Sequence, residues 1–292
     1  MVSRGIAAEI GAGAARFLSR QRFIVASTLD AQGEVWASLL TGEPGFATAV
    51  DPELIGIAGL PPEDDPLRAN LEAPSPVGLL AIDLSTRQRV RFNGRGAIGQ
   101  GGIFLDVSQV YGNCPKYIQR RAIESTETAS PGVVRVSPDL GPHQQKRIRD
   151  ADTFFIASSH DRGGADASHR GGLPGFVRIE GPTRLSFPDY PGNAMFNTLG
   201  NLAVQPAAGL LFVDFVNGDT LQLTGRTRLD PDRRVTFDIT EVRDTPHASP
   251  LRFRFIDFSP ANPALEAVTP AAAEASEEVK ADAGAAAKTR EK

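Results

Sequence analysis

The sequence predicts a mainly β protein: two tandem antiparallel β-barrels with helices at their edges. Three observations support this. Apolar runs of strand length succeed one another with short polar turns between them, which favours antiparallel barrels. The framework residues of residues 23–95 return about 131 positions later. The chain is 292 residues long, with 41% hydrophobic and 23% charged residues, an ordinary globular composition with enough chain for two domains.

In chain order, residues 3–20 place Ile6, Ile10, Ala14, Phe17 and Leu18 at helical spacing, weakened by Gly11 and Gly13. Phe23 to Leu29 then reads as a strand, Asp30 to Gly33 as its turn and Val35 to Leu40 as the returning strand. Val77 to Leu84 is long and apolar enough for a buried strand, and Gln88 to Ile98 alternates. The second copy repeats the scheme. Residues 138–151 suggest a short helix. Phe154 to Ala157 enters the polar turn around Asp161, and Ala165 to Arg170 leaves it. Leu210 to Val216, Thr220 to Leu229, Arg233 to Val242 and Leu251 to Phe258 follow as strands.

The repeat is specific. Phe23, Ala26, Ser27, Asp30 and Gly33 recur 131 residues on as Phe154, Ala157, Ser158, Asp161 and Gly164. Ala37, Ser38, Gly42, Pro44, Gly45 and Phe46 recur at a spacing of 130, and the spacing returns to 131 from Asn70 to Arg95. Such slips belong in surface loops. The expected domains are 1–125, a linker and helix over 126–150, 151–258, and a disordered Ala/Glu/Lys-rich tail over 259–292. Between the copies, the segment YGNCPKYIQRRA is expected to open a helix at Pro115 and bring Lys116, Arg120 and Arg121 together.

Net charge of −4 argues against generic nucleic-acid binding, and no apolar run is long enough to span a membrane. Glu9 and Arg16 interrupt any signal-peptide core, so a cytoplasmic protein is expected. The single cysteine, Cys114, excludes an internal disulfide and any cysteine-only metal site. His160, Asp166 and His169 match no standard metal spacing. No dinucleotide or phosphate-loop motif is present.

The most informative stretch is Ser168-His169-Arg170-Gly171-Gly172, where cationic donors adjoin glycines that let backbone approach a ligand. The first copy reads Ser38-Leu39-Leu40-Thr41-Gly42 there. It also carries the acidic run Glu63-Asp64-Asp65 where the second has Phe187 to Asn197. One copy thus bears a site for an anionic ligand and the other supports it.

At these residues the sequence resembles the pyridoxamine 5′-phosphate oxidase-like, flavin-binding split-barrel family, and in particular its tandem members. The likeness is carried by SSHDRGGADASHRGGLPGF, FPDYPGNAMFNTLGNL with GLLFVDF, and YGNCPKYIQRR. With the repeat, it covers most of residues 20–258. It implies tandem split barrels, usually working as a dimer with FMN between two barrels. Ser168, His169, Arg170 and Gly171 would lie along the flavin ring, and Asn193, Asn197, Lys116 and Arg120 would hold the phosphate end. It further implies an oxidoreductase supplied by a nicotinamide nucleotide or a reductase partner. The sequence departs from the family in one respect: residues 187–205 contain no Arg or Lys. Another flavin, a deazaflavin, haem or no cofactor therefore stays open, as does a non-catalytic carrier. The substrate-phosphate arginines of a true vitamin oxidase are absent.

Overall fold

The computed structural model describes residues 5–127, 130–161, 163–191 and 197–264. Residues 5–262 belong to one compact unit. The tail expectation therefore falls mainly on residues 265–292, outside the described residues.

The first half runs α1 (Ala12–Ser19), β1 (Phe23–Leu29), β2 (Val35–Thr41), β3 (Ala47–Ala49), β4 (Leu54–Ala58), α2 (Pro66–Asn70), β5 (Ser75–Asp83), β6 (Gln88–Gly99) and β7 (Gly102–Gly112). After β8 (Arg120–Thr126) and β9 (Arg135–Ser137), the second half runs α3 (Pro142–Asp150), β10 (Thr153–His160), β11 (Gly164–Gly171), β12 (Arg178–Gly181) and β13 (Arg184–Pro188). It continues with α4 (Asn197–Val204), β14 (Ala207–Val213), β15 (Thr220–Leu229) and β16 (Arg234–Thr245), and β17 (Leu251–Asp257) closes the series.

One sheet has the order β2-β1-β5-β6-β7-β4-β3 and the other β11-β10-β14-β15-β16-β13-β12. The orders correspond strand for strand. The alternation of each strand explains how one sheet serves two cores. Ile24 and Ala26 face a core with Leu79, Phe92 and Leu105 inside the first barrel. Phe154 and Ile156 face a core with Leu210, Leu223 and Phe237 inside the second. The opposite faces supply Phe23, Val25 and Ala37 from one half and Phe155, Ala157 and Ala167 from the other to a third core between the barrels.

These core memberships correct the repeat in the first strand. The correspondence at 131 sets Ala26 against Ala157, but Ala26 lies inside its barrel and Ala157 lies between the barrels. A spacing of 130 restores the match: Ser27 pairs with Gly78, and Ala157 pairs with Gly209. A one-residue slip in a strand exchanges its faces.

The barrels meet closely at two related glycines. A Cβ on Gly78 would lie 2.6 Å from the Asp166 Cα, and one on Gly209 would lie 2.9 Å from the Trp36 Cα. Those contacts interchange under the same mapping, so the halves are related by an approximate two-fold. β8 and β17 pair antiparallel with each other as a separate ribbon.

The helix expected at Pro115 does not form. Residues 113–119 are turn and irregular chain leading into β8, and Tyr117 has φ 66°, a left-handed conformation that interrupts a helix. Among the described residues expected in the N-terminal helix, Ala12–Ser19 form α1, with Gly11 at its N-cap.

Candidate functional site

A cavity of about 240 Å³ lies where the two halves meet. β6 contributes Arg89 and Arg91, and the turn after β7 contributes Cys114, Lys116 and Tyr117. β11 contributes Ser168, His169, Arg170 and Gly171. Asp189, Tyr190, Asn197, Thr198 and Arg233 complete the wall from the second half. Among the described residues, five Lys or Arg side chains therefore share this wall with one carboxylate, and they come from both halves.

β6 and β11 are held together by a buried polar network. Arg91 Nη1 lies 3.2 Å from both oxygens of Asp166, and its Nη2 donates to Ser168 Oγ. Tyr111 donates to Asp166 at 2.9 Å and accepts from Asn197 Nδ2 at 2.8 Å. Ser168 Oγ also meets Thr198 Oγ1 at 2.8 Å. Burial draws the Arg91 pKa down, but Asp166 and Tyr111 more than offset it and hold Arg91 above its ordinary value.

The cations facing the open space are less well matched. Burial, reinforced by Arg91 and Arg170, pushes Arg89 down to about 9. Arg170 is lowered by burial, with partial compensation from Asp189 at 3.7 Å. Asp189 also pairs with Arg233 at 3.0 Å. The Nε atoms of Arg89 and Arg170 have no hydrogen-bond partner among the described residues, nor has either ring nitrogen of His169. Such orphaned buried donors are uncommon.

His169 corrects an expectation. Burial and then the charges of Arg89, Arg170 and Arg121 hold its pKa well below the ordinary 6.5. It faces the cavity as a neutral imidazole, edge-on to Phe155 with ring centroids 5.9 Å apart. The glycines differ from expectation too. A Cβ on Gly171 would lie 2.0 Å from the Tyr117 carbonyl oxygen, and one on Gly172 would meet the Phe176 ring at 2.6 Å. The space beside both is filled by the protein itself.

Of the sequence-expected residues, the cavity gathers Lys116, Ser168, His169, Arg170, Gly171 and Asn197. Arg120 is not among them: on the β8–β17 ribbon it donates to Asp257 at 2.5 Å. Without a helix after Pro115, alternation along β8 separates Arg120 from Arg121, which pairs with Asp152 at 2.6 Å. Asn193 lies outside the described residues. Sequence reasoning missed Arg89, Arg91 and Arg233. The first two were legible as a charge difference between copies, since a spacing of 131 sets Thr220 and Gln222 against them.

Among known proteins, no family model matches the chain, and neither does any curated protein. Among solved structures, HupZ of Group A Streptococcus aligns at 14% identity and TM-score 0.29, over 35% of this chain and 93% of that one. The FAD binding protein from Mycobacterium smegmatis aligns at 12% identity and TM-score 0.28, over 39% of this chain and 98% of that one. Likenesses this low carry no argument for function. Among the described residues, no helix is long and apolar enough to cross a membrane.

Proposed function

We propose that this protein is a tandem split-barrel flavoprotein that binds FMN between its two halves and works as a flavin-dependent oxidoreductase. The convergence of Arg89, Lys116, Arg170 and Arg233 from both halves on one cavity, with a single carboxylate to oppose them, carries the reading. A ligand with a phosphate group fits that donor set, since charge-assisted contacts to phosphate are about twice as strong as neutral ones. The orphaned Nε–H of Arg170 and the single N–H of the neutral His169 ring supply further donors, and Tyr117 with Tyr190, ring centroids 5.2 Å apart, supplies an aromatic wall.

In this reading Lys116, Arg89 and Arg233 hold the anionic end, with Asn197 as a neutral donor. Arg170 and the neutral His169 donate toward the ring, and Ser168 orients Arg91 beside it. The isoalloxazine, when bound, supplies the hydride chemistry. The protein binds it, excludes water and places positive charge where negative charge develops. One chain supplies both walls, so a single copy suffices for a site.

The test is the visible absorption spectrum of the purified protein, followed by FMN addition and removal of excess. Retained flavin bands support the reading, and NADPH- or NADH-driven bleaching supports an oxidoreductase. Retained flavin without turnover under any reductant supports a carrier. A colourless protein that releases FMN overturns the flavin assignment.

A further inference from the structure

The approximate two-fold generates a second position between the barrels, with different chemistry. A spacing of 130 relates Ser168, His169 and Arg170 to Ser38, Leu39 and Leu40, and a spacing of 131 relates Arg89 and Arg91 to Thr220 and Gln222. Where the cavity is cationic, the related position is neutral or apolar. Even so, a carboxylate occupies it.

That carboxylate belongs to Asp65. Its Oδ1 accepts from Ser38 Oγ at 2.5 Å and from the Leu67 N–H at 2.9 Å. Its Oδ2 accepts from Gln222 Nε2 at 3.3 Å. Gln222 is fixed in turn by the Ala37 carbonyl at 3.0 Å, and Ser38 and Gln222 are both buried. Burial outweighs these hydrogen bonds and raises the Asp65 pKa above its ordinary value; Arg243, which pairs with Glu241 at 2.7 Å and donates to the Asp64 carbonyl at 3.0 Å, adds only a small opposing charge. Its guanidinium lies over the Trp36 ring, 5.2 Å from the centroid. The donors thus come from β2, from the first turn of α2, whose N-cap is Asp65, and from β15 of the other half. In the open cavity, Ser168 Oγ is met instead by Arg91 and Thr198.

We infer that the chain contains a second carboxyl-binding site, made by Ser38, Gln222 and the Leu67 N–H, whose resident ligand is the protein's own Asp65 side chain. A small free carboxylate, such as formate or acetate, replaces that side chain when it is deleted. The site does not depend on what the open cavity binds, so its test is separate from the flavin reading.

The experiment is thermal unfolding of wild type, Asp65→Ala and Asp65→Asn in excess sodium formate, against sodium chloride of equal ionic strength. Formate is expected to raise the Tm of Asp65→Ala by about 3–5 °C relative to chloride, the size of shift that binding to the native state alone produces in a domain of this length. Wild type and Asp65→Asn, whose sites are filled, should respond equally to both salts. Adding Gln222→Leu to Asp65→Ala should abolish the formate response. If Asp65→Ala does not fold in chloride, folding on addition of formate gives the same answer. A variant indifferent to formate, folded or not, overturns the inference, and so does an equal formate shift in wild type.

Discussion

Arg91 of β6 and Asp166 of β11 form a buried ion pair between the two halves, with Nη1 3.2 Å from the carboxylate and side chains 7% and 5% exposed. The pair ties the barrels together directly behind the cationic cavity. Beside it, Arg170 and Arg233 share the one carboxylate of Asp189.

Breaking this pair from one side strands a buried charge, which typically costs about 3–5 kcal/mol. Asp166→Ala should lose stability on that scale in urea unfolding. Replacing both partners together, Arg91→Met with Asp166→Leu, should recover a large part of the loss, because a well-packed apolar pair strands no charge. A double variant as unstable as Asp166→Ala would mean that the wider network, not the pair, carries the interface.

Cavity arginines and ribbon arginines should separate cleanly in a flavin titration. Arg170→Ala and Arg89→Ala should each weaken FMN binding by about 10- to 100-fold, from loss of a charge-assisted contact. Arg120→Ala should bind FMN as wild type does, since its partner is Asp257 on the ribbon. Wild-type affinity in Arg170→Ala would remove that residue from the site.

His169 sets an acid limb to stability. Its folded pKa is well below 6.5, so between the two values the unfolded chain binds more protons than the folded one, and stability rises with pH there. Stability should be complete above about 6.5 and fall as the pH drops below it. The denaturation midpoint of His169→Gln, measured from neutral to acid pH, should lack that component. Arg89 gives the opposite limb for ligand: an anion favours its charged form, so FMN affinity should fall as the pH rises through about 9.

Gly209 tests the contact between the halves. A Cβ there would lie 2.6 Å from the Val35 carbonyl oxygen, where backbone must shift to make room. Gly209→Ala should cost about 1–3 kcal/mol by overpacking, read as a lowered Tm. Gly181→Ala, with nothing near its Cβ, serves as the control.

Stoichiometry provides a further check. Because Asp65 occupies the related position, wild-type protein should retain one FMN per chain, measured by flavin absorbance against protein content. Two per chain would show that the Asp65 position accepts an external ligand.

Most of the fold was legible because its signals are local. The run from Phe154 to Ala157 lies in β10, the apolar stretch around Leu210 lies in β14, and the alternation from Thr220 spans β15. The failures came where neighbours in space decide. Pro115 offered a helix start, but Tyr117 adopts a left-handed conformation and its carbonyl packs on Gly171. The repeat was assigned one residue out in β1 because the residue identities favour 131, where Phe23 and Ala26 meet Phe154 and Ala157, whereas only packing shows that the faces correspond at 130.

By itself the sequence determined a mainly β chain, and it marked Ser168 to Gly171 of the second copy and Lys116 as places to look. The tertiary structure decided which cations share a cavity, since Arg89 and Arg91 stand about 80 positions from Arg170 and meet it only because the two barrels pack face to face. It also decided charge state. Composition cannot reveal that His169 is neutral, because its pKa is lowered by burial and by Arg89 and Arg121, which the fold brings to it beside its chain neighbour Arg170.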